Sequence, residues 1–208
     1  MPANISVRVI GRPARGLSSD RKKALDAWQE ESKNFLAALP VVLKNKSAAF
    51  RLPDDFYASF DFILNVNPRC TTSRGGYKKG RPYVSIANLT HPRLYFDDAK
   101  PSKYREYKQM AKSKTIGNCQ GSFKVFCWAL LAHEMAHAIQ YYFRFKPKVR
   151  NSKRFNPGEF GRELLKPPHG HGFQEIYRYL RMHMVNTLPG YQFWDGTDND
   201  VDFLQQKS

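Results

Sequence analysis

Cysteine is scarce: the 208 residues hold three, Cys70, Cys119 and Cys127, an odd number with no CxxC pair. A disulfide framework is not expected from them, and a zinc ribbon cannot be built on them alone. Free thiols suit a reducing compartment. No long apolar segment opens the chain, which begins MPANISVRVIGRPARG, so a secretory leader is not expected. The longest apolar stretch, residues 123–143, contains Lys124, His133, Glu134 and His137 and reads as a buried helix rather than a membrane span. A cytoplasmic or nuclear location is the expectation. Acids are also in short supply: 18 Asp and Glu against 34 Lys and Arg leave a net charge of +16. Such an excess attracts polyanions, nucleic acid first and an anionic membrane surface second. Internal repeats and low-complexity linkers are lacking too. At about 100–200 residues per domain, residues 1–208 are expected to form one domain.

What is present is enough for a core, since hydrophobic residues make up 41% and Phe and Tyr are spread along the whole chain. Weak alternation over 4–10 predicts a first strand. The runs at 58–66 and 82–89 predict two more, forming a long hairpin around the Gly-rich basic segment 68–81. Tyr95 and Phe96 suggest a short edge strand. The Ser18-Ser19-Asp20 run offers an N-cap to an amphipathic helix over 21–39 that Pro40 ends, with a short helical piece over 41–49. A basic helix is expected over 101–112 and a break at 117–121. Ser122 then caps a long helix over 123–145, stopped by Pro147. Residues 144–168 read as loop. A last helix runs from about 169 to 185, with Phe173, Ile176, Tyr177 and Leu180 on one face. Residues 191–208 form an acidic tail, which leaves a core of about 20–185.

The chemistry concentrates in His133-Glu134-Met135-Ala136-His137, an HExxH inside the long helix. Residues four apart on a helix project from nearly the same face. Both imidazoles can therefore reach one metal ion at about 2.0–2.1 Å. Glu134 is displaced along the turn, where it can take a proton from water that the metal activates. The flanks CWALLA and AIQYYF would bury this helix. A zinc site of this kind needs a third protein ligand. A metzincin continuation fails, because Gln140 and Phe143 stand where Gly and His are required. A downstream glutamate remains open, with Glu159, Glu163 and Glu175 as candidates. The better candidate is the His-Gly-His-Gly-Phe run at 169–173.

HEMAH followed some thirty residues later by PHGHGF at a helix start resembles the SprT-like metallopeptidases, a group that includes the Spartan proteases acting on DNA-crosslinked proteins. The family pattern is HExxH, then HGxx(F/W), whose His is the third zinc ligand. Aligned so that Gly170 follows the ligand and Phe173 supplies the aromatic, the resemblance implies His169 as that ligand, with His133 and His137, and not His171. It also implies Glu134 as general base, Zn²⁺ as cofactor, and an α+β, zincin-like fold with a small sheet packed on the active-site helix. The likeness covers about residues 20–185. Many family members carry a C-terminal zinc ribbon or further DNA-binding segments. This sequence shows no such Cys pairs, so DNA engagement would fall to the catalytic domain.

Basic residues cluster in two places. Arg144, Lys146, Lys148, Arg150, Lys153 and Arg154 lie between the two histidine motifs with no acid among them. Arg69, Arg74, Lys78, Lys79 and Arg81 crowd the expected hairpin turn beside Tyr77 and Tyr83. Such mixtures track phosphates and stack on bases. Tyr177, Arg178 and His183 read mainly as packing or surface residues, and an oxyanion-stabilising role is the lesser reading for them. Cys127 reads as packing.

The expected function is zinc-dependent hydrolysis of peptide bonds in proteins, in particular proteins bound to or crosslinked with DNA. Two rivals stand beside it. One is a nucleic-acid-binding module with a structural or vestigial zinc site. The other is a protease for one regulatory protein, with no dependence on DNA. Glu134 speaks against the first, because a structural site has no use for a base.

Overall fold

The computed structural model describes residues 5–11, 18–44, 52–67, 69–87, 89, 101–145 and 168–197. Its organising element is the long helix. Ser122 Oγ accepts from the Val125 N–H at 3.4 Å and starts it, and it then runs over Phe123–Phe145. We label it α3, after α1 (Ser19–Leu43) and α2 (Asp54–Ser59). Apolar residues surround α3 on nearly all sides, as in a helix packed within a core rather than on its surface.

Four strands form one sheet, β1 (Val7–Ile10), β2 (Asp61–Asn65), β3 (Arg74–Lys78) and β4 (Arg81–Ile86), of which β3 and β4 lie against α3. Their order is β1-β2-β4-β3, with β1, β2 and β4 parallel and β3 antiparallel at the edge. On β2, Phe62 and Leu64 are buried, and on β4 Val84 and Ile86, the alternation of a sheet with one face on the core. On the other side of α3, α1 packs through Trp28, Phe35 and Leu39, and the Trp28 ring meets Phe123 edge-on at 5.5 Å. A second, antiparallel sheet is formed by β5 (Ser102–Tyr104), β6 (Cys119–Gly121) and β7 (Gln192–Phe193). Helix α4 (His171–Leu180) continues into one π-helical turn, Arg181–Val185.

The chain is thus mixed α+β, with small sheets on a central helix. No helix among the described residues is long and apolar enough to cross a membrane. Several local expectations are corrected. Pro40 lies inside α1 and does not end it. Its buried ring packs in the core, which holds the helix through to Leu43. The segment read as a turn supplies β3, so the hairpin is β3–β4. It closes at Lys79 and Gly80, both with positive φ (52° and 80°), as a two-residue turn between twisted strands requires. β2 instead pairs with β4 in parallel, and Ser59 belongs to α2. The expected basic helix is replaced by β5 and a run of turns. The edge strand at Tyr95 and Phe96, the stop at Pro147 and the end of the acidic tail lie outside the described residues.

Candidate metal centre

His133 and His137 project from one face of α3 at its buried middle. His169 reaches the same point from the turn before α4. Its backbone is left-handed, with φ 64°, a conformation that costs a non-glycine residue about 1–2 kcal/mol. The Gln174 side chain holds that turn by donating to the His169 carbonyl at 2.9 Å. The three Nε2 atoms converge: His169 stands 3.1 Å from His137 and 3.3 Å from His133. Nitrogens bound at about 2.0–2.1 Å to one tetrahedral ion stand roughly 3.3–3.4 Å apart, so the cluster has the dimensions of a metal site before any ion is added. Burial and the two neighbouring imidazoles push His137 down to about 2, and burial with the His133 imidazole holds His169 below its usual range, so both present neutral nitrogens. A group of this kind can hold a metal ion. His171 lies outside it, exposed and facing Glu175 at 3.9 Å. Glu175 itself pairs with Arg178 on the outer side of α4.

Glu134 is buried beside the cluster. Burial pushes its carboxyl up to about 7, against the pull of His133 and of the Gly75 N–H that donates to it. Gly75 sits where β3 comes closest to α3. A Cβ there would collide with the Glu134 carbonyl oxygen, an atom fixed within the helix. We expect Gly75→Ala to cost about 1–3 kcal/mol through forced separation of strand and helix. A denaturant midpoint equal to that of the wild type would show that β3 is free to move off.

Histidines and Glu134 open into a cleft of about 470 Å³, walled by Arg74, Tyr77, Tyr83, Tyr107, Tyr141 and Phe145. Tyr107 lies over the histidines, its ring 4.2 Å from that of His169. Of the basic residues, Arg74 and Lys78 are exposed on β3 and Lys79 is exposed in its turn, while Arg144 sits above the Phe145 ring at 5.3 Å. Lys146, Lys148, Arg150, Lys153 and Arg154, with Glu159 and Glu163, lie outside the described residues. Tyr177 is fully buried behind the histidines and does not line the cleft.

No family model, curated protein or solved structure matches the chain.

The structure also places residues that the sequence reading passed over. Glu106, in the loop after β5, is buried behind His133, with its oxygens 3.1 and 3.2 Å from Nδ1. Burial alone would raise its carboxyl, but His133 and the hydrogen bonds it accepts outweigh this and hold it below the usual range. Its partner responds in kind: burial pulls the His133 imidazole down, and Glu106 more than restores it. Glu106 is the only acid in residues 101–118 among five Lys and Arg, a weak signal with no fixed spacing from the HExxH.

Proposed function

We propose that this chain is a zinc-dependent metallopeptidase with a zincin-like fold, related to the SprT-like enzymes, that cleaves proteins associated with DNA. The observation that carries the proposal is the convergence of three imidazole Nε2 atoms at ligand spacing with a buried carboxylate beside them, in an open cleft. Three imidazoles and no thiolate suit zinc with one position left for chemistry. Bound zinc supplies Lewis acidity to water and to the scissile carbonyl. His133, His137 and His169 hold the ion. Glu134, raised to about 7 by its burial, is poised to take a proton from water near neutral pH and to pass it to the leaving amine. The edge strand β3 borders the cleft and supports binding of an extended peptide by strand addition.

Support for DNA as a partner is the +16 charge and its placement. Tyr77 stacks on Phe145 at 6.1 Å and both line the cleft, with Lys78 next to Tyr77 in β3 and Arg144 next to Phe145 in α3. Incubating the purified protein with a DNA-bound protein substrate, with and without a chelator, tests the reading. Chelator-sensitive cleavage with about one zinc per chain is expected, and a metal-free protein that cleaves nothing would end it. The DNA part has its own test. Replacing Lys146, Lys148, Arg150 and Lys153 with Gln is expected to flatten the slope of log K against log[salt] by up to about 3 units if all four meet phosphates. Zinc content and cleavage of a free peptide should persist. An unchanged slope would leave only Arg74, Lys78, Lys79 and their neighbours to contact DNA.

A further inference from the structure

A buried polar chain runs from the back of the histidine cluster to the far end of α4. Arg181, in the π-helical turn, is fully buried, and no carboxylate pairs directly with it among the described residues. Its Nη1 donates to the Tyr177 hydroxyl at 2.8 Å and to the Gly117 carbonyl at 3.1 Å. Its Nε donates to Asn186 Oδ1 at 3.2 Å. The Tyr177 hydroxyl donates in turn to the Glu106 carboxylate. Glu106 also accepts from the Tyr107 N–H at 2.9 Å and the Tyr104 hydroxyl at 3.3 Å. Its own N–H donates to Asn118 Oδ1 at 2.9 Å, which pins its backbone. The last donor to the carboxylate is His133 Nδ1.

An ionised carboxylate only accepts, so Nδ1 of His133 must carry the proton. The other ring nitrogen, Nε2, then faces the cluster with its lone pair. His137 has no such support, because its Nδ1 is buried without a hydrogen-bond partner. The charges also fit: Arg181 and Glu106 are an ion pair separated by one phenol, a buried cation compensated at one remove. Such a pair costs much to desolvate and is poorly explained by stability alone.

We propose that Glu106 is a positioning residue of the metal centre, and that Tyr177 and Arg181 hold it in place from behind. Glu106 fixes the tautomer and ring orientation of His133 and increases the basicity of its Nε2. The relay spans the fold, since Glu106 follows β5, while Tyr177 and Arg181 sit one turn apart at the end of α4, the helix that begins beside His169. The two ends of α4 therefore serve the same ion. The inference rests on the metal-site reading only in taking His133 as a ligand.

The test uses the full chain, metal-free and with Zn²⁺ added alone, in the variants Glu106→Gln, Glu106→Ala and Tyr177→Phe. Zinc affinity is read by competition with a chromophoric chelator, and the His133 Nδ1–H proton by NMR. Outer hydrogen-bond partners of metal-bound histidines contribute about 10–100-fold in affinity. Glu106→Ala is expected to lose that much and to lose the slowly exchanging Nδ1–H signal. Glu106→Gln keeps an acceptor for Nδ1–H, so it should keep the signal and lose less than tenfold. Tyr177→Phe should weaken zinc by a smaller factor, and should add nothing in the Glu106→Ala background. Tyr142→Phe removes a hydroxyl bonded to Asp55, outside the relay, and should leave zinc affinity unchanged. Wild-type affinity and an intact Nδ1–H signal in Glu106→Ala would overturn the proposal. If that variant does not fold, wild-type affinity in Tyr177→Phe would overturn it instead. A wild-type protein that binds no zinc would end the peptidase reading, while the Nδ1–H comparison in metal-free protein would still decide the relay.

Discussion

Glu134→Gln is expected to abolish most proteolysis, by roughly 10²–10⁴-fold, while stoichiometric zinc is retained. The two side chains have the same shape, and none of the three clustered nitrogens belongs to residue 134. What the substitution removes is the proton acceptor. Stability should not suffer. Glu134 is buried and its carboxyl is raised to about 7, so its ionised form is disfavoured in the folded state and gains stability only as protons are taken up. A neutral amide avoids that penalty, so the melting temperature of metal-free Glu134→Gln above pH 7 should equal or exceed that of the wild type. Near-normal turnover in this variant would remove Glu134 from the mechanism.

The second large effect separates two neighbouring histidines. His169→Ala should weaken zinc by more than about 100-fold, beyond what loss of an outer partner costs. His171→Ala should leave affinity within a few-fold of wild type, because the His171 ring is exposed and turned towards Glu175. Direct titration of both variants checks this. Equal affinities in His169→Ala and wild type would mean that the left-handed turn at His169 serves some other purpose and that the third ligand comes from elsewhere.

The centre was more legible in the sequence than the fold around it. His133 and His137 could be read because four residues on a helix repeat a face, and α3 declared itself by its apolar length and by Ser122. The strand β3 was hidden. Its residues RGGYK carry no hydrophobic alternation, since its inner face is made by the close approach of Gly75 and by one tyrosine. The parallel pairing of β2 with β4 has no local signature, because no tight turn joins the two strands and the chain passes through β3 between them. In residues 101–112, Lys and Arg at helical spacing outweighed the three buried side chains, Tyr104, Glu106 and Met110, that anchor this segment. Glu106 escaped notice for a related reason: a carboxylate that supports a ligand has to be near it in space, and nothing obliges it to be near in sequence.

Helix α3 touches β3, β4, α1, α4 and the second sheet, and its central residues are buried all round. That placement governs how the molecule opens. Amide protons in the middle of α3 have no partial opening that exposes them, so their exchange with deuterium should follow only whole-molecule unfolding. β1, which among the described residues pairs with β2 alone and leaves Val9 and Ile10 40% exposed, can fray far more cheaply. His133, Glu134 and His137, mounted on the last element to open, stay in register through every lesser fluctuation, whereas His169 depends on its own turn before α4. On heating, the alignment of His133 with His137 should therefore be lost together with the cooperative transition and not ahead of it.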